Sequence, residues 1–176
     1  FSYPLAHVII YRATNMIVLV TGSAGHLGEA LVRRLRETAH TPIGIDLKPS
    51  AFTDHVGSVN DATFVRECVS GVDAVIHTAT LHKPHVGTHS RQNFVHTNIS
   101  GTLTLLEAAV AHGPMPFIYT STTSTFGDAM RPGSGEPAVW VTEALKPKPK
   151  NIYGVTKSAA EDLCELFHRK AGLPCV

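Results

Sequence analysis

Met16-Ile-Val-Leu-Val-Thr21-Gly22-Ser-Ala-Gly25-His-Leu-Gly28 runs from an unbroken apolar stretch straight into three spaced glycines. A short continuous apolar run reads as a strand covered on both faces, as in a parallel sheet, because side chains pointing either way must be apolar. Behind the glycines, Leu27, Leu31 and Leu35 recur every four residues with Arg33, Arg34, Arg36 and Glu37 between them. That spacing predicts a helix over 26–38 with one stripe laid on the sheet. Residues without a Cβ at such a strand–helix junction let a pyrophosphate approach the helix N-terminus. The spacing is GxxGxxG, and a glycine triplet alone also suits a plain tight turn; the flanking strand and helix favour the phosphate reading.

Further along, Pro42-Ile-Gly-Ile-Asp46 reads as a second strand, with Asp46 at its end about 20 residues after the glycines. A carboxylate there accepts from ribose hydroxyls and repels a 2′-phosphate, favouring NAD over NADP, although Lys48 weakens that preference. A weaker strand is expected at 55–59, a helix capped by Asp61 through Val69, and a buried strand over 72–77. Phe94, Ile99, Leu103, Leu106 and Val110 predict the longest helix, 91–112, closed off by Pro114. A fifth strand follows at 115–120, then an irregular Pro/Gly-rich stretch over 127–150 of the kind that is usually functional. The last helix, 153–170, carries Val155, Ala159, Leu163 and Phe167 on one stripe and ends at Gly172 and Pro174; Cys175-Val176 opens a further strand. Alternating strands and helices imply right-handed βαβ units, hence an α/β doubly wound parallel sheet in a three-layer, Rossmann-like sandwich that binds ligands at the strands' carboxyl ends.

Composition narrows the function. The 176 residues are 43% hydrophobic and 16% charged, enough for one cored domain. A net charge of +1 gives no electrostatic reason for nucleic acid or an anionic membrane as partner, which leaves a small molecule or a second copy. No run approaches the roughly 20 apolar residues of a membrane span. Cys68, Cys164 and Cys175 form no CxxC pair and are odd in number, which fits a reducing compartment and points to the cytoplasm. Residues 1–15 lack the basic lead and cleavage site of a secretory signal, and Met16 directly precedes the first strand. The expected organisation is therefore a non-native N-terminal extension, 1–15, before a nucleotide-binding domain, 16–176.

Tyr153-Gly-Val-Thr-Lys157 places a phenol and an ammonium at i and i+4 on one helical face. A nearby cation favours phenolate, so a tyrosine with an ordinary pKa of about 10 becomes usable as a base near neutrality. The pattern is short and acquires meaning only from the rest of the chain.

Together, TGSAGHLG at 21–28, Asp46, HTAT at 77–80, YTSTTSTFG at 119–127 and YGVTK at 153–157 resemble the extended short-chain dehydrogenases of NAD-dependent epimerase/dehydratase type. The resemblance covers Met16 to Val176. It implies that Gly22, Gly25 and Gly28 with Ala24, His26 and Leu27 line a pyrophosphate. Asp46 would bind the adenosine ribose, Ser58 and Val59 would flank the adenine, and Ala79 and Lys157 would meet the nicotinamide ribose. It makes Tyr153 the general acid/base, Lys157 its pKa-lowering partner, Thr122 the hydroxyl that shares the substrate oxygen, and Asn98 a support for the active site. It also implies a carbinol substrate, possibly that of a sugar nucleotide, and a homodimer through the helices at 91–112 and 153–170. Ser58 stands where the family usually has Asp, and Phe126 where it usually has Tyr. Family members continue into further strands and a small substrate domain, so the resemblance leads us to expect residues 16–176 to correspond to the nucleotide-binding part without them.

The crowd of His77, His82, His85, His89 and His96 contains no Cys or carboxylate, so loop or substrate-facing imidazoles are favoured over a metal site. A non-catalytic NAD(P)-sensing module, or an inactive truncation of such an enzyme, is the alternative to an enzyme. Tyr153, Lys157 and Thr122 together favour the enzyme.

Overall fold

In the computed structural model, which describes residues 15–176, the opening apolar run is β1 (Ile17–Thr21) and the segment behind the glycines is α1 (His26–Arg36). The chain continues through β2 (Thr41–Asp46), β3 (His55–Val56), α2 (Ala62–Val69) and β4 (Ala74–His77). After these come α3 (Arg91–Phe94), a π-helical turn (Val95–Ser100), α4 (Gly101–His112), β5 (Phe117–Tyr119) and α5 (Ile152–Ala171). All five strands are parallel, in the order β3-β2-β1-β4-β5. The chain winds outward from β1 to β3 and then crosses back to β4, so the switch point lies between β1 and β4. The expected extension at 1–15 falls, except for Asn15, outside the described residues.

β1 shows why its sequence is apolar at every position. Leu19 enters the larger core with residues of α2, α4 and α5, while Val18 and Val20 pack with Val32 of α1 on the opposite face. Helices on both faces make the three layers. Leu27, the first leucine of the predicted stripe, is 46% exposed and belongs to the cleft rather than the core. Beyond α5, whose left-handed cap is Gly172, Cys175 pairs in parallel with Phe117 of β5, where the sequence places the start of a further strand.

The segment 91–112 is helical as expected but not uniformly α. The buried stripe is Phe94, Asn98, Thr102, Leu105, Leu106 and Ala109, an i, i+4, i+8 face, while Ile99, Leu103 and Val110 are only half-buried. The polar side chain of Asn98 lies in the π turn and in the interior; such turns cluster at functional sites. The 127–150 stretch closes on itself through Asp128 N–H to Lys148 carbonyl (2.8 Å) and Lys148 N–H to Thr125 carbonyl (3.1 Å). No described helix is long and apolar enough to cross a membrane.

Gly28 packs α1 directly on the end of β1, since a Cβ on it would lie 2.0 Å from the Gly22 carbonyl oxygen. We expect Gly28→Ala to force α1 away from β1 and to lower Tm by about 3–8 °C, as overpacking of roughly 1–3 kcal/mol implies. A thermal melt matching the unsubstituted protein would contradict this packing.

Candidate active site

The exit of β1 is built from backbone on backbone. Gly22 has φ +75°, and a Cβ there would sit 2.8 Å from the Ala79 nitrogen. The end of β1 and the loop after β4 thus meet with no room for a side chain on Gly22, whose neighbours there are the Ala79 backbone and the Thr78 hydroxyl. Gly25 caps α1 with no side-chain hydrogen bond, leaving the helix N-terminus with its partial positive charge to receive an anion. It borders a cleft of about 540 Å³ at the carboxyl ends of the strands.

Of the residues singled out in the sequence, Gly22, Gly25, His26, Leu27, Gly28, Asp46, Ser58, Val59, Ala79 and Tyr153 line this cleft; Asn98 and Lys157 are buried, and Ala24 and Thr122 are half-buried outside its lining. Ala24 acts through its backbone: its N–H donates to Asp46 Oδ2 (3.1 Å), and Lys48 N–H donates to Oδ1 (2.9 Å). The carboxylate is thereby oriented with acceptor capacity left for a ligand.

Tyr153 lies in the first turn of α5, where Asn151 caps the helix by accepting from Gly154 N–H (3.1 Å). Gly154 sits so close to the turn after β5 that a Cβ would meet the Ser124 carbonyl oxygen at 2.5 Å. One turn on, Lys157 is 2% exposed; its ammonium donates to the Thr120 carbonyl and lies 4.0 Å from the Tyr119 ring centroid. Burial pushes Lys157 down to about 8, against the opposing pull of Glu161 and Cys164. Glu161 also accepts from the hydroxyl of Ser121, a cleft residue. Tyr153, Lys157 and Glu161 follow at four-residue spacing, the signal by which Glu161 could have been found in the sequence. Thr122 follows the cleft residues Thr120 and Ser121, and its hydroxyl accepts from Ser124 N–H at 3.2 Å.

Asn98 is a clamp rather than a group open to ligand. Its Oδ1 accepts from Leu81 N–H (2.8 Å) and Thr80 hydroxyl (3.0 Å), and its Nδ2 donates to the Leu81 carbonyl (2.9 Å) and Thr156 Oγ1 (3.0 Å). Thr156 in turn donates to the Tyr153 carbonyl (3.0 Å). The loop after β4, the π turn and α5 are therefore joined at one amide.

The histidines separate. His77 is 1% exposed between Thr21 Oγ1 (2.7 Å from Nδ1) and Thr102 Oγ1 (3.0 Å from Nε2). Burial first, then Lys157, pushes it down to about 3, so it is neutral at ordinary pH. His82, His85 and His89 meet edge to face in series, ring centroids 4.4 and 5.0 Å apart, with His82 and His85 on the cleft. Burial and the neighbours His82, His89 and Lys48 hold His85 below its ordinary value. Among the described residues, no three metal-binding side chains converge.

Residues 18–176 match the model of the NAD dependent epimerase/dehydratase family. The chain belongs to that family. Among solved structures, a short-chain dehydrogenase/reductase superfamily protein from Agrobacterium tumefaciens with bound NAD superposes with a TM-score of 0.80 at 32% identity, over 91% of this chain and 47% of that one. UDP-glucuronic acid 4-epimerase from Bacillus cereus, in complex with UDP-glucuronic acid and NAD, superposes at 0.77 with 29% identity, over 92% and 55%. A curated relative, the uncharacterized UDP-glucose epimerase YtcB of Bacillus subtilis, is 30% identical over 180 residues, 92% of this chain and 54% of that protein. The chain thus spans about half the length of these epimerase/dehydratase relatives.

The buried imidazole has a consequence for stability. Unfolded, His77 takes up a proton below about pH 6.5; folded, it does so only near pH 3, so its contribution is complete above pH 6.5 and is lost as pH falls toward 3. Between pH 6.5 and 5.0, before most carboxylates titrate, this one ring should remove about 1.5 kcal/mol. Urea unfolding at the two pH values reads it, and His77→Asn should flatten the difference; an equal slope in both proteins would refute the assignment.

Proposed function

We propose that this chain is the dinucleotide-binding and catalytic half of an NAD-dependent enzyme that acts on a carbinol carbon of a sugar nucleotide. The observation that carries the reading is Tyr153 on the wall of the cleft that the glycine loop and α1 N-terminus also border, with the buried Lys157 ammonium one turn behind it. An uncapped helix N-terminus over Cβ-free backbone fits a pyrophosphate, and an oriented carboxylate at the end of β2 fits a ribose diol.

In this reading the backbone of Gly22–Gly28, including Ala24, His26 and Leu27, receives the pyrophosphate, and Asp46 takes the adenosine ribose. Ser58 and Val59 flank the adenine, and Ala79 and Lys157 meet the nicotinamide ribose. Bound there, NAD supplies a hydride acceptor. Tyr153 takes the proton from the substrate hydroxyl as the carbinol is oxidised and returns it when a carbonyl is reduced. The Thr120 carbonyl and the Tyr119 ring hold the Lys157 ammonium in place one turn behind Tyr153. Thr122 supplies a hydroxyl to the substrate oxygen after a rotation that gives up its bond to Ser124 N–H. Asn98 acts as a positioning residue. The UDP-glucuronic acid bound to the Bacillus cereus epimerase, and the likeness to YtcB, named as an uncharacterized UDP-glucose epimerase, support a sugar nucleotide as substrate class. Three free thiols fit a reducing compartment such as the cytoplasm. The half-exposed Val155 and Leu166 of α5 offer an apolar strip for the helix-mediated homodimer.

An NAD-sensing module would need the cleft but not a lysine buried behind the tyrosine at a desolvation cost, which is why we favour the enzyme. In the naturally expressed protein, Tyr153→Phe should lower turnover of a UDP-sugar at least a hundredfold and leave NAD affinity within about twofold. Turnover that survives the substitution would remove Tyr153 from its role, and the absence of turnover in both proteins would favour the sensor. Parallel calorimetric titration should show NAD⁺ binding at least tenfold tighter than NADP⁺, because a 2′-phosphate would meet the Asp46 carboxylate. Equal or reversed affinities would overturn the cofactor preference.

A further inference from the structure

One buried ionisable group has no part in the mechanism above. His77 ends β4 directly opposite Thr21 in the sheet register, at the switch point itself. Its ring is held by partners whose own hydrogens are already assigned. The Thr102 hydroxyl donates to the Asn98 carbonyl (2.7 Å), so its oxygen can only accept from His77, and Nε2 must carry the proton. The Thr21 oxygen already accepts from the amides of Thr78 and Ala79 (3.1 Å each), so its hydrogen is directed at His77 Nδ1, which must be bare. The Thr78 hydroxyl closes the ring of bonds by donating to the Thr21 carbonyl (2.6 Å).

The polarity of the network is thus determined from end to end. The amides of Thr78 and Ala79 donate to Thr21, Thr21 donates to His77, His77 donates to Thr102, and Thr102 donates to the π turn at Asn98. The Asn98 side chain then grips Leu81 and, through Thr156, the turn that carries Tyr153. A leucine or phenylalanine could fill the space of the ring but would leave the Thr21 hydroxyl free to rotate. The two amides it accepts from belong to the backbone that presses on Gly22.

We infer that His77 is a positioning residue for the dinucleotide: as the Nε2–H tautomer it orients the Thr21 hydroxyl, which anchors the Thr78–Ala79 backbone against Gly22 and links it through Thr102 to the turn bearing Asn98. This rests on the reading that NAD occupies the cleft.

Two measurements on the naturally expressed protein test it. In ¹⁵N-histidine spectra without ligand, His77 should show a protonated Nε2 and a bare Nδ1, unchanged between pH 6 and 8. A Nδ1–H tautomer, or a ring that titrates in that range, would overturn the inference. Calorimetry should show His77→Leu weakening NAD⁺ binding about tenfold, whereas His77→Asn, whose carboxamide oxygen stands near the Nδ1 position and can accept from Thr21, should recover most of it. Should His77→Leu fail to fold, Thr21→Val removes the same anchor with little change of shape and is expected to weaken binding similarly. Leucine and asparagine variants that both bind like the unsubstituted protein, or that both lose binding equally, would overturn the inference while leaving the functional reading intact. Failure of the unsubstituted protein to bind NAD⁺ would overturn both.

Discussion

Backbone meets backbone where β1 ends. Gly22 touches the Ala79 backbone and Gly28 touches Gly22, with no room for even one side-chain carbon at either contact. Because these chains approach so closely, the N-terminus of α1 can border the cleft directly, and the loop after β4 can run beside it toward α5. A Cβ at either glycine would push apart the elements whose joint edge is the site. The parallel sheet makes the approach available, since the carboxyl ends of β1, β2 and β4 come to one side and the order reverses between β1 and β4.

Around this junction the interior is unusually polar. His77, Asn98, Thr21, Thr102, Thr156 and Lys157 are all buried, and each would be costly alone. The cost is offset because the donors and acceptors are matched: the amide of Asn98 spends its donors and its acceptor on the protein, and both nitrogens of His77 find threonines. Lys157 is the least compensated, with a carbonyl, an aromatic face and a more distant carboxylate, and burial lowers its pKa accordingly. The buried polar residues stabilise less than an apolar core would, but they hold the cleft wall in one arrangement, which a site needs more than it needs stability.

Much of this was legible in the chain because it is local. β1, α1, α2 with its Asp61 cap, and α5 with its Gly172 terminus follow from side-chain periodicity and cap chemistry acting over a few residues. The buried face of 91–112 was not legible: Ile99, Leu103 and Val110 share one helical stripe, whereas the fold buries the face of Phe94, Asn98 and Thr102, and the partners that admit the Asn98 amide are at Leu81 and Thr156, 17 and 58 residues away. His77 ends the buried strand that the sequence predicts, but its partners were hidden for a similar reason. Its neighbours in sequence suggest a histidine cluster, whereas its neighbours in space are the threonines of β1 and α4.

The sequence by itself determined the order of strands and helices, the position of the glycine junction and the pairing of Tyr153 with Lys157 on one helical face, because each is set by residues within a turn or two of one another. Only the tertiary structure decided which of the named residues line the cleft and which lie outside its lining. It gave Asn98 and the buried His77 their partners and brought the Thr122 hydroxyl to Ser124 N–H. The reason is that a hydrogen bond's direction depends on the other bonds its partner already makes, and here those partners come from strands and helices far apart in the chain.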